Sequence, residues 1–180
     1  MAQWITQGSC LEQRPEPNKW LMHHSELFKD DDGSIYLTPK NYITDNYTIP
    51  DWIAWVAGSK SKYNAMPSHI HDFGCQFHQL LKVNLTEYEL RSKRLITTEN
   101  GKDVCDEIPI QYLSLIPVTK WEIDCLFKRA MKATGVIPKR VYNTFRFGVF
   151  FNFGWLGKHP PFDLSKIYTI KQNDKKYWED

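Results

Sequence analysis

The run MPSHIHDFGCQFHQLL, residues 66–81, constrains the fold more than any other part of the chain, because its apolar residues recur at helical spacing. The residues of that apolar face are Ile70, Phe73, Phe77, Leu80 and Leu81. Pro67 suits the first turn of a helix, where a backbone N–H has no intrahelical partner. The pattern therefore predicts a core helix over residues 66–81.

The same run carries polar residues that are suited to chemistry. They are His69, His71, Asp72, Cys75 and His78. His71, Cys75 and His78 share a second face of the predicted helix, and Asp72 lies beside His71. A histidine and a carboxylate at the edge of an apolar stripe are groups whose pKa values a protein can tune for proton transfer or metal binding.

Two other interpretations of these residues stay open. Helical histidines are most often satisfied core or surface residues, which is the expectation for His69 and His78. A zinc site formed by His71, Cys75 and His78 is geometrically possible, since side chains at i, i+4 and i+7 converge. However, no CxxC or HExxH spacing supports zinc, and the other three cysteines are scattered singly along the chain.

The composition indicates one globular domain and argues against several classes of protein. With 180 residues, 42% of them hydrophobic and 24% charged, the chain is large enough to bury a real core. A net charge of +2, without a stripe of Lys and Arg, argues against nucleic acid as a partner. Four cysteines without close pairing favour free thiols. The chain shows neither a signal-peptide pattern nor a membrane-spanning run, so we expect a soluble protein.

Turn signals organise the first half of the chain and the region after the central helix. Residues 1–18 are polar and end in RPEPNK, which predicts an N-terminal arm. Residues 19–44 predict a hairpin, or a small antiparallel sheet, because strand-like runs flank an Asp-Gly turn. Residues 83–113 predict a hairpin insertion on the surface, around an Asn-Gly turn.

Two further helices are expected after the insertion. The sequence TKWE is a capping box that opens a helix over residues 119–134, and Asp124 in its first turns needs a partner. Residues 138–155 repeat apolar residues at helical spacing and predict a third helix, and residues 158–180 predict a surface tail. The expected fold class is α+β, in which the small sheet is followed by a three-helix core that carries the hairpin insertion.

The order of several short motifs resembles a known family. The motifs are Ile43-Thr44-Asp45, Thr48-Ile49-Pro50, His71-Asp72, Asp124 with Phe127, Gly135-Val136, and Tyr142 with Phe145-Arg146-Phe147-Gly148. Together they resemble the phage and prophage family called domain of unknown function 1353. The chain departs from it in Thr48 for serine, in Cys75 for tyrosine and in the hairpin insertion. The resemblance implies a phage protein that is made in the host cytoplasm, takes part in the virion or in lysis, and binds other phage proteins.

The helical motifs are also similar to those of the prokaryotic phospholipases A2. The corresponding segments here are HDFGC, residues 71–75, and EIDCLF, residues 122–127. This resemblance implies that His71 is the general base, that Asp124 orients its imidazole, and that Asp72 binds Ca²⁺. Because one carboxylate cannot hold Ca²⁺, Asp45 or Asp51 would have to help. Lipid of the host membrane would be the substrate.

Two hypotheses for function follow from the sequence. The first is a Ca²⁺-dependent lipid ester hydrolase, similar to phospholipase A2, that acts on the host envelope. The second is a non-catalytic structural or accessory protein of the phage head or tail, in which His71, Asp124, Tyr142 and Arg146 form a buried supporting network. The two differ in whether the imidazole and the carboxylate meet beside solvent or inside a closed core.

Overall fold

The computed structural model has an α+β fold, as the sequence predicts, and describes residues 1–7, 11–15, 19–44, 66–135 and 162–168. The first six strands are β1 (Gln3–Trp4), β2 (Leu11–Gln13), β3 (Trp20–Met22), β4 (Glu26–Lys29), β5 (Ile35–Thr38) and β6 (Ile43–Thr44). The other strands are β7 (Gln79–Val83), β8 (Thr97–Glu99), β9 (Lys102–Val104) and β10 (Leu113–Pro117). The helices within these ranges are α1 (Met66–Phe77), α2 (Glu87–Ser92) and α3 (Lys120–Ala133).

A five-stranded antiparallel sheet, in the order β1-β4-β5-β7-β10, forms the centre of the molecule. The predicted hairpin is confirmed by β4 and β5, whose connecting turn contains Gly33 at φ +86°, a conformation that glycine adopts without strain. Leu27, Leu37 and Leu81 lie side by side across β4, β5 and β7. One face of the sheet therefore carries a continuous apolar row across its three central strands.

Both faces of this sheet are buried. Leu27 and Phe28 are adjacent in β4 and fully buried, and because side chains of a strand alternate, they belong to two different apolar clusters. The cluster around Phe28 contains Ile123 of α3. The cluster around Leu27 contains Phe73 of α1 and Phe162. The central strands are thus enclosed between two layers.

The segment predicted as an N-terminal arm differs from that expectation. Its described residues supply β1, which pairs with β4, and β2, which joins β3 and β6 in a second antiparallel sheet. Ile5 and Thr6 are buried, and the Ile5 N–H donates to the Leu27 carbonyl at 2.9 Å. Backbone hydrogen bonds hold these strands in their sheets. The polar side chains of the segment therefore do not indicate that it forms strands.

The helix predicted over residues 66–81 ends earlier, at Phe77. His78 has φ +53°, a left-handed conformation that terminates a helix, and β7 begins at the next residue. Leu80 and Leu81 therefore lie in the central sheet. A short apolar run suits a buried strand as well as a buried helix, so their periodicity alone could not separate the two.

The region 83–113 contains the predicted surface hairpin, and it also contains a helix that the sequence analysis did not predict. β8 and β9 pair across an Asn-Gly turn, as predicted. The additional helix is α2, which Thr86 and Glu89 cap reciprocally. After the insertion, β10 returns to the central sheet beside β7.

The C-terminal part of the chain is described only in part. The helix predicted over 119–134 is confirmed by α3 and its capping box, whereas the helix predicted over 138–155 lies outside the described residues. Of the predicted tail, residues 162–168 are described, and they bury Phe162 and Ile167 in the core instead of lying on the surface. None of the described helices is long and apolar enough to cross a membrane.

Candidate functional site

The site is built where α1 and α3 pack against each other. His71 Nε2 lies 3.1 Å from Asp124 Oδ1, a hydrogen bond between residues that are 53 positions apart. The Phe127 ring packs on the imidazole with centroids 4.7 Å apart. Phe127 lies three residues after Asp124, so one face of α3 supplies both the acid and the aromatic wall. The contact between His71 and Asp124 that the sequence suggested is therefore present in the structure.

Asp124 has a second cationic partner, Lys120, one turn earlier on α3. Lys120 Nζ lies 2.8 Å from Asp124 Oδ2 and 3.1 Å from Oδ1. Burial raises the pKa of Asp124, but the hydrogen bonds from His71 and Lys120 outweigh it, so that the pKa lies below its ordinary value. The carboxyl group is therefore ionised and held from two sides.

His71 is almost completely buried, with 4% of its side chain exposed. Burial lowers its pKa, whereas the charge interaction with Cys75, the hydrogen bond to Asp124 and the nearby Asp72 carboxylate raise it. The net result is a pKa well above the ordinary value of 6.5. The Cys75 sulfur lies 3.5 Å from Nε2 and 3.9 Å from Nδ1. Cys75 thus takes part in this site.

Asp72 lies beside the imidazole but is directed toward β6. Its Oδ1 is 3.8 Å from His71 Nδ1, and its Oδ2 accepts a 2.7 Å hydrogen bond from the Thr44 hydroxyl. Asp45, which was expected to help bind the metal, and Tyr142 and Arg146, which were expected in the buried supporting network, lie outside the described residues.

The described residues do not fit a calcium site. Ca²⁺ takes six to eight oxygen ligands, whereas Asp72 supplies one carboxylate, half of which already accepts from Thr44. Within the described ranges, no group of three or more His, Cys, Asp or Glu residues is arranged to hold a metal ion, which applies equally to the zinc alternative.

A second histidine–carboxylate pair was missed by the sequence analysis. His69 Nδ1 lies 3.0 Å from Glu26 Oε2 of β4, and both side chains are buried. A glutamate in an otherwise apolar strand, SELF, was the available signal, because a buried carboxylate requires a partner. His69 is thus a core histidine whose Nδ1 pairs with a buried carboxylate, in line with the simplest interpretation.

The polar residues of α1 bind different parts of the molecule. His69 binds β4 and His71 binds α3, while Asp72 accepts from β6 and Gln76 accepts from the Tyr42 hydroxyl at 3.1 Å. The position of α1 is therefore specified by hydrogen bonds as well as by apolar packing.

The arrangement is chemically suited to proton transfer. Nε2 of the His71 ring is bound to a carboxylate. Nδ1 lies 3.8 Å from an Asp72 oxygen, beyond ordinary hydrogen-bonding distance, and 3.9 Å from the Cys75 sulfur.

No family model matches the chain, and neither the curated proteins nor the solved structures contain a match for it.

Proposed function

We propose that the chain is a phage-encoded lipid ester hydrolase in which His71 is the general base and Asp124 orients it. The observation that carries the proposal is the 3.1 Å hydrogen bond between His71 Nε2 and Asp124 Oδ1, formed between two helices that are remote along the chain. The phage origin rests on the sequence resemblance alone. A base whose second nitrogen is fixed by a carboxylate is a recurrent solution for activating a nucleophile.

The reaction that this pair supports is a general-base hydrolysis. Above the raised pKa of His71 the imidazole is neutral. With Nε2–H donating to Asp124, the lone pair of Nδ1 then accepts a proton from water, and the water oxygen attacks the ester carbonyl carbon. The carbon–oxygen bond to the leaving group then breaks, and the imidazolium returns its proton to the departing alkoxide. Asp124 stabilises the imidazolium between these two steps.

Access to the imidazole is the requirement that the described state leaves unmet. His71 is 4% exposed and Asp124 is 11% exposed, so water and an ester reach Nδ1 only after the site opens. Lipid hydrolases work at a membrane interface. Apolar surface that stays buried while the protein is in water can become exposed there, because it then contacts hydrocarbon. The substrate used in a test should therefore be a vesicle rather than a dispersed ester.

The test measures fatty-acid release from vesicles of phosphatidylglycerol and phosphatidylethanolamine, in calcium and in chelator. The wild type should release fatty acid, and His71→Asn and Asp124→Asn should each reduce the rate about a hundredfold or more. His24→Asn is the matched control, because His24 pairs with Asp106 at 2.7 Å on the surface and should keep wild-type activity. Absence of release from every headgroup would contradict the proposal.

A second candidate function is a non-catalytic structural or accessory protein of the phage head or tail. The burial of His71 and the engagement of Asp124 by Lys120 favour it, because a carboxylate between two cations is a complete ionic network without substrate. On this hypothesis, the wild type releases no fatty acid, the protein is found in purified phage particles, and His71→Asn lowers only the melting temperature.

A further inference from the structure

Lys120 occupies a position that the stability of α3 alone disfavours. It is the first residue of the helix, where the positive end of the helix dipole repels a cation. It also precedes its acidic partner by four residues, and the opposite order, with the acid first, is the more stabilising one. A residue whose position disfavours helix stability in two ways is expected at a functional site.

The contacts of the Asp124 carboxylate show what the Lys120 ammonium contributes. Oδ1 lies 3.1 Å from His71 Nε2 and 3.1 Å from Lys120 Nζ, and Oδ2 lies 2.8 Å from the same ammonium. The ammonium therefore contacts both oxygens, so the carboxylate cannot rotate about its Cβ–Cγ bond without losing a charge-assisted hydrogen bond.

Partial burial makes this restraint effective. The side chains of Lys120 and Asp124 are 23% and 11% exposed, so solvent screens the pair less than it screens an ordinary surface ion pair. In addition, the restraint acts within one helix, so it holds Asp124 on α3 in the orientation from which Oδ1 meets His71 on α1.

We propose that Lys120 is a positioning residue of the site, which fixes the Asp124 carboxylate so that its Oδ1 accepts from Nε2–H of His71 and leaves Nδ1 as the basic nitrogen. This inference rests on the proposed hydrolase function for its catalytic consequence. The hydrogen-bond geometry that it predicts is measurable without any activity.

The test compares Lys120→Met, Lys120→Arg and the control Lys132→Met. Methionine preserves the length of the side chain without charge, arginine restores a cation, and Lys132 is an exposed lysine in the last turn of the same helix. Each variant is first checked for folding by circular dichroism. Long-range ¹H–¹⁵N spectra of the histidine rings, recorded above the raised pKa of His71 where the ring is neutral, then show which nitrogen of His71 carries the proton. Vesicle hydrolysis gives kcat and KM.

We expect Lys120→Met to weaken or abolish the Nε2–H signal of His71 and to reduce kcat by at least about tenfold, with KM changed by less than about twofold. Lys120→Arg should restore the ring signal, and Lys132→Met should match the wild type in both measurements. The proposal is overturned if Lys120→Met leaves the His71 ring signal unchanged, or if arginine restores nothing.

Failure of the proposed function gives a different result. A wild type without hydrolysis refutes the hydrolase, while the ring spectra still decide whether Lys120 orients the pair. If the ring signal changes in Lys120→Met but the kcat of an active wild type does not, the catalytic role of Lys120 is refuted and the hydrolase stands.

Discussion

Gly74 of α1 lies directly against the side chain of Ile123 of α3. A Cβ atom built on Gly74 would be 2.6 Å from Ile123 Cγ1, closer than real side chains approach each other. Glycine in the middle of a helix is less favourable than alanine by about 1 kcal/mol, so its presence here is explained by the close approach of the two helices. The same close approach brings His71 within reach of Asp124.

Replacing Gly74 by alanine should therefore destabilise the protein, although alanine is the better helix former. Overpacking of a well-packed core costs about 1–3 kcal/mol, and it exceeds the gain in helix propensity when the neighbour cannot move. Denaturant unfolding of Gly74→Ala, Ile123→Val and the double variant measures this. Because valine removes the Cδ1 atom of Ile123, the double variant should be less destabilised than the sum of the single variants. Strict additivity would show that the two residues do not contact each other in solution.

The His71–Asp124 pair should stabilise the fold most at mildly acidic pH. The raised pKa of His71 gives stability that is complete below its ordinary pKa of 6.5 and is lost as pH rises through the folded-state pKa. The lowered pKa of Asp124 gives stability that is complete above its ordinary pKa of 3.8 and is lost as pH falls through the folded-state pKa. The difference in melting temperature between the wild type and Asp124→Asn should therefore be largest between these two values. A difference that grows toward alkaline pH would contradict this assignment.

Glu26 should be far more important for stability than an exposed partner of a histidine. Glu26→Ala leaves the buried imidazole of His69 without this partner, and breaking a buried pair costs about 3–5 kcal/mol. Asp106→Ala removes the partner of His24 on the surface and should cost less than about 1 kcal/mol. Urea unfolding of the two variants measures the loss in the free energy of unfolding for each. Equal losses would rule out the buried pair.

Cys105 should be unreactive in the folded protein. Burial, with a smaller contribution from the charge of Asp106, raises the pKa of its thiol to about 12, so almost no thiolate forms at pH 8. Iodoacetamide treatment at pH 8, followed by peptide mass spectrometry, should find Cys105 unmodified until denaturant is added. Rapid alkylation without denaturant would mean that this part of the core opens readily.

The elements that the sequence predicted well are those specified by local contacts. The capping box of Thr119 and Glu122 determined the start of α3, and the two turns that contain glycine determined two hairpins. The end of α1 was misplaced, because it depends on the left-handed backbone of His78, which no residue preference strongly indicates.

The site was predictable to a lesser degree than these elements. The residues of the central pair were identified from resemblance, but the distance between His71 and Asp124 depends on how two helices pack, which periodicity does not determine. Glu26 and Lys120 were missed for a related reason. The first is recognisable only once β4 is known to be buried, and the second only once its ammonium is seen at the carboxylate.

Helix α1 contributes side chains to both apolar clusters of the protein, which has a consequence for cooperativity. Phe73 and Phe77 belong to the cluster on one face, and Ile70 and Cys75 belong to the cluster on the other. If either cluster lost its packing, α1 would lose contacts, and the other cluster would lose the side chains that α1 supplies to it. We therefore expect all-or-none melting, with a shared midpoint for spectroscopic probes placed on opposite sides of the sheet.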